Sequence, residues 1–176
     1  MPERLPSVLA YFITFSTYGS RLPGDARGTT DRRANVYGEP LRPSMRGVLA
    51  SQRAALRWPA FQMADDERLI TARAITRLCN ARTWELHAFS VRTNHVHIVV
   101  EPASGTPEMM MQAFKAAATA ALRKAARVDY DRKVWSRHGS TRYLFEEDAV
   151  PSAVRYVVER QGTNLIGAWH VAPIFK

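Results

Sequence analysis

The chain has 176 residues and carries 25 Lys plus Arg against 16 Asp plus Glu, a net charge of +9, so it fits a single domain large enough to bury a core without staples. Its one cysteine, Cys79, excludes an internal disulfide framework and a cysteine-built zinc site. No apolar run reaches membrane-spanning length, and the start MPERLPSVLAYFITF lacks the features of a signal peptide, which predicts a soluble, cytoplasmic protein with a polyanion as the natural partner of its basic surface.

The stretch 11–18 (YFITFSTY), rich in aromatic and β-branched residues and closed by Gly19, predicts a first strand inside the sheet. Residues 19 to 47 then bring Gly19, Pro23, Gly24, Gly28, Gly38, Pro40, Pro43 and Gly47 among charged residues, which predicts irregular chain. The whole chain, 1–176, accordingly reads as one domain with a loop-rich insertion at about 19–66. From Asp65 the helical spacing of Leu69, Ile70, Ala74, Ile75, Leu78 and Cys79 predicts a helix, with Asp65 or Asp66 as its N-cap. Residues 84–91 alternate and lead through Arg92-Thr93-Asn94 into a second alternating run, a hairpin pattern. From Pro107 to about Arg127 the composition predicts a long helix with a basic face. Residues 134–145 (VWSRHGSTRYLF) read as one strand or a short hairpin around His138-Gly139-Ser140. Asp148, Pro151 and Gly162 bracket a last helix carrying Val150, Val154, Val157 and Val158.

The most informative segment is the strand from His95 to Val100 (HVHIVV). Alternation puts His95 and His97 on one face and Val96, Ile98 and Val100 on the other. Two imidazoles side by side make half of a divalent-metal site, which can polarise a phosphate or activate a nucleophile. The order strand, helix, strand, strand, helix, strand predicts an α+β, ferredoxin-like (RRM-like) antiparallel sheet with both crossover helices on one face. The histidines then point to the opposite face, where the additional C-terminal helix lies across them.

Three features converge: the histidine strand, a late helix carrying Tyr156 followed by Gln161, and a basic chain. Together with YFITFSTYGSRLPGDARGTTDR, WELHAFSVRTNHVHIVVEP, FKAAATAALRK, KVWSRHGSTRYLFEE and AVRYVVERQG, in that order, they span most of the chain. The combination resembles the HUH single-tyrosine transposases, most closely their REP-associated tyrosine transposase branch. The resemblance implies that His95, His97 and Gln161 hold Mg²⁺ or Mn²⁺. It also implies that Tyr156 attacks a single-stranded DNA phosphate to leave a 5′-phosphotyrosine link. Implied with it are a bacterial, nucleoid-associated setting, single-stranded or hairpin DNA as partner, and a monomer or homodimer. A phenol is largely protonated and weakly nucleophilic at neutral pH, so such chemistry needs an aligned phosphate and a metal or base.

The spacing departs from the commoner pattern of that family, in which Tyr and Gln are four apart. Five residues turn the two side chains about 140° from each other, and Gln161 falls in line with Val150, Val154 and Val158. Either the helix ends or distorts before Gln161, or Glu159 supplies the third ligand, or metal binding is impaired. Tyr156 lies opposite the valine stripe and is preferred over Tyr143 and Tyr18. His87 reads as a surface or hydrogen-bonded histidine. Arg92, Arg123, Lys124, Arg132, Lys133, Arg137 and Arg142 are candidate phosphate contacts, with His138 beside them in a basic turn and Trp135 as a stacking surface. The Met109-Met110-Met111 run reads as helix core. Two other readings stay open. One is a catalytically silent module binding single-stranded nucleic acid on the same sheet, although HVHIVV lacks the aromatic signature of an RRM. The other is metal-dependent hydrolysis without a covalent step.

Overall fold

The structure, a computed structural model, describes residues 7–22 and 46–160, and the backbone of 168–170. Strand β1 (Ala10–Thr17) is followed by helices α1 (Arg46–Ala54) and α2 (Asp65–Arg82), then β2 (Leu86–Val91), β3 (His95–Val100), α3 (Pro107–Lys124), β4 (Trp135–Leu144), α4 (Ala149–Glu159) and β5 (Ala168–His170). The strands form one sheet in the order β4-β1-β3-β2-β5, antiparallel at every pairing. Its first four strands with α2 and α3 make the expected ferredoxin-like unit, and β1 is interior. The short β5 on the β2 edge was not foreseen.

Alternation along β1 builds both faces at once. Tyr11, Ile13 and Phe15 join Val96, Ile98 and Val100 in the main core, where α2 adds Ala72, Ile75 and Cys79 and α3 adds Met110, Met111, Phe114, Ala118 and Leu122. Val96, Ile98 and Val100 thus meet the helices as their spacing requires. Burial pushes the Cys79 thiol up to about 12, the behaviour of an inert packing residue. Met110 and Met111 are core as expected, whereas Met109 is exposed.

Four local expectations are corrected. α1 is a helix where irregular chain was expected, with no buried residue along it. The N-cap of α2 is Ala64, because the Glu67 carboxylate accepts from the Ala64 backbone N–H at 2.7 Å and draws Asp65 and Asp66 into the first turn, where their charge suits the helix dipole. Trp84 precedes β2 and packs edge-on against Phe114, with ring centroids 5.5 Å apart. Residues 135–144 form one strand, so His138 lies in β4 and not in a turn. A Cβ at Gly139 would stand 2.4 Å from both Met111 Sδ and the Thr14 carbonyl oxygen, so glycine is needed there to let the strand pass beneath α3.

The other face of the sheet carries a smaller cluster, in which Val150, Val154 and Val157 of α4 pack on Ala10, Ala88, Val99 and Leu144. That places α4 across the face from which the histidines rise.

Candidate active site

His97 sits opposite Thr14, and His95 opposite Ser16, in the register of β3 against β1. The two imidazole centroids are 4.7 Å apart. Each ring is oriented through Nδ1: His97 to Thr14 Oγ1 at 2.8 Å and His95 to Asn94 Oδ1 at 2.7 Å. A ring that donates from Nδ1 carries its acceptor lone pair on Nε2, the arrangement that second-sphere partners impose on metal-binding histidines. Asn94 is itself fixed by its carbonyl, which accepts from the Thr17 N–H at 2.9 Å and from the Ser20 hydroxyl at 3.1 Å.

Tyr156 stands on the flank of the valine stripe rather than opposite it, 41% exposed. Its ring meets His97 edge-on at 5.6 Å between centroids and Phe12 at 5.9 Å, and Phe12 in turn packs on His97 at 5.5 Å. Both histidines and Tyr156 line one cavity of about 250 Å³, walled also by Thr14, Ser16, Ser20, Arg21 and Asn94. Burial lowers the His97 pKa to about 3, helped by the positive charges of His95, Arg21 and Arg92. His97 is therefore neutral at any working pH, with a lone pair to offer. The guanidiniums of Arg21 and Arg92 give the cavity mouth a field that suits a phosphate.

The donor set fits half of a divalent-metal site. Among the described residues no group of three His, Cys, Asp or Glu side chains is placed to hold an ion. Helix α4 ends at Glu159, with Arg160 as its C-cap. Gln161 lies outside the described residues. Tyr18 and Tyr143 are elsewhere: the Tyr18 hydroxyl accepts from the Arg57 N–H at 3.1 Å, and Tyr143 packs edge-on against Tyr11 of the main core side, centroids 5.2 Å apart.

A family model described as transposase, IS200-like, matches residues 54–148, more than half of the chain. The chain belongs to that family. The matched stretch includes both histidines and stops before α4 and its tyrosine. Among solved structures, one titled as a REP-associated tyrosine transposase bound to a REP hairpin aligns over 91% of this chain and 71% of its own, with 13% identity and a TM-score of 0.47. No curated protein matches the chain.

The remaining site candidates of this IS200-like transposase fall into separate groups. Arg92 is in the β2–β3 turn, close enough to depress His97. Arg142 pairs with Phe12 in the β4–β1 register and so rises on the histidine face. Arg137 and His138 are exposed where β4 bulges against β1. Arg123, Lys124, Arg132 and Lys133 lie beyond the sheet, at the end of α3 and in the chain that follows it; Arg123 covers the Tyr130 ring at 4.7 Å and Arg132 the Phe61 ring at 5.3 Å. Trp135 is corrected: it is 6% exposed, inside the main core, with Nε1 donating to the Lys115 carbonyl and to Thr119 Oγ1 at 3.1 and 3.0 Å. Its ring meets Phe15 edge-on, centroids 5.0 Å apart. His87 is as expected, its Nε2 lying 3.5 Å from the Glu101 carboxylate. The sequence reading missed Phe12, Thr14, Ser16 and Arg21. The first three were accessible from the β1 alternation, which puts 12, 14 and 16 on the face opposite Tyr11, Ile13 and Phe15.

Among the described residues no helix is long and apolar enough to cross a membrane.

Proposed function

We propose that the protein cuts and rejoins single-stranded DNA, at a hairpin or palindromic site, through a 5′-phosphotyrosine intermediate. The observation that carries this reading is the placement of Tyr156 in one cavity with both histidines, while Tyr18 and Tyr143 are engaged elsewhere. In the proposed step the Tyr156 hydroxyl oxygen attacks the scissile phosphorus and the bond to the 3′ oxygen breaks. The phenolic proton leaves to solvent, and the departing oxygen takes a proton from solvent to leave as a 3′-hydroxyl. The phosphoester bond is exchanged rather than hydrolysed, so another 3′-hydroxyl reverses the reaction without an external energy source.

His95 and His97, with Gln161 as the proposed third ligand, would hold Mg²⁺ or Mn²⁺; when bound, such an ion neutralises charge on the phosphoryl oxygens. Thr14 and Asn94 hold the imidazoles in place, Phe12 holds the tyrosine ring against His97, and Arg21, Arg92 and Arg142 attract the strand. The experiment is adduct trapping on a labelled single-stranded hairpin. Wild type is expected to give a denaturation-resistant adduct mapping to AVRYVVERQG, and Tyr156→Phe, which keeps the ring contacts, none. Persistence of the adduct in that variant refutes the assignment of the nucleophile. Cleavage without any adduct replaces transesterification with hydrolysis. Binding without cleavage under either metal leaves the silent-module reading.

A further inference from the structure

A second cavity, of about 580 Å³, adjoins the first and shares Ser20 and Asn94 with it. Its volume is in the range that holds a small ligand. The wall it shares is the β1 end and the β2–β3 turn; its far wall is α1 and the segment after it, which brings Arg53, Arg57 and Trp58. Trp58 is half-buried, its ring met edge-on by Tyr18 at 6.1 Å and covered by the Arg57 guanidinium at 4.3 Å. The reaction does not use this cavity. An indole, two guanidiniums and a volume left open among the described residues, next to a site for a phosphate, match the parts that hold an unstacked base and its backbone charge.

We propose that this cavity receives one unpaired nucleobase of the DNA strand whose phosphate lies at Tyr156, with Trp58 and the Arg57 guanidinium as its stacking surface and Arg53 on the adjoining backbone. The proposal rests on the DNA reading above and deepens it. It makes the helix α1 a specificity element, since the cavity exists only where that helix and the following loop close over Gly19. A base held one wall away from the scissile phosphate fixes the register of the strand without touching the chemistry.

The test is equilibrium binding without divalent metal, using the full chain carrying Tyr156→Phe so that no adduct forms. The probes are hairpin oligonucleotides whose unpaired flank carries 2-aminopurine, or an abasic site, at each position in turn. One position is expected to lose fluorescence on binding, and an abasic site there to weaken binding about tenfold, the scale of one base stacked on an aromatic ring. Adding Trp58→Ala is expected to abolish both effects at that position alone. Arg53→Glu, on the exposed side of α1, is expected to weaken the same complex several-fold without affecting the fold. If no position depends on its base, if the dependence survives Trp58→Ala, or if Arg53→Glu binds like wild type, the proposal is overturned. Its failure is distinguishable from that of the catalytic reading: adduct formation with base-indifferent binding sinks only the cavity, and base-dependent binding with no adduct sinks only the chemistry.

Discussion

Burial of His97 predicts a specific weakness in acid. In the folded protein its pKa is about 3, while in the unfolded chain a histidine titrates near 6.5. Between those values the unfolded state binds a proton that the folded state refuses, so stability falls as pH falls. Above about pH 6.5 neither state is protonated and the penalty is absent. At pH 5 the unfolded imidazole lies about 1.5 units below its own pKa, and at about 1.4 kcal/mol per unit the cost is about 2 kcal/mol. The figure depends on the unfolded value alone as long as the folded one stays well below 5, and the site is 7% exposed, so solvent screening does not erode it. Urea midpoints at pH 7.5 and pH 5 measure the loss. The control is His97→Asn, whose amide can still face Thr14 but does not titrate. Wild type is expected to lose about 2 kcal/mol more than the variant across that interval, the other histidines cancelling. Equal losses would refute the burial argument.

His95→Ala and His97→Ala are each expected to abolish hairpin cleavage in Mg²⁺ or Mn²⁺ while leaving salt-sensitive DNA binding in place; cleavage at the wild-type rate by either variant excludes the paired imidazoles as the metal site. Gly139→Ala is expected to destabilise by about 1–3 kcal/mol through overpacking, because its Cβ meets Met111 Sδ and the Thr14 carbonyl at 2.4 Å, and Met111→Ala should relieve only part of the loss in chemical denaturation. Lys115 is buried, its Nζ donating to the Ser136 and His138 carbonyls at 3.0 and 3.3 Å, and its pKa is lowered to about 8. Between about pH 8 and 10.5 the unfolded chain binds the extra proton, so stability should rise with pH in wild type, by at most about 1.4 kcal/mol per unit, and Lys115→Met should flatten that slope.

The histidine strand was legible because a two-residue period leaves no choice of face: once Val96, Ile98 and Val100 are core, His95 and His97 stand together on the other side. The same reasoning, applied to 12, 14 and 16 in β1, would have found their neighbours, but it also needs the strand order that puts β1 beside β3. Trp135 was misread because a large aromatic among arginines looks the same in sequence whether it faces solvent or Phe15; only the packing of Lys115 and Thr119 decides it. Helix α1 escaped notice because it buries none of its residues, so no apolar stripe announces it. The Tyr156–Gln161 spacing stays an angular projection from the sequence, because Gln161 lies outside the described residues.

The imidazoles and the phenol owe their positions to different parts of the molecule. β3 lies between β1 and β2 over the main core, so the histidine pair keeps its geometry until the domain as a whole comes apart. Tyr156 rides on α4, which packs through Val150, Val154 and Val157 on a smaller patch of sheet than the main core. The proposed nucleophile and the histidines proposed to activate it thus stand on separate elements, each held by its own hydrophobic cluster.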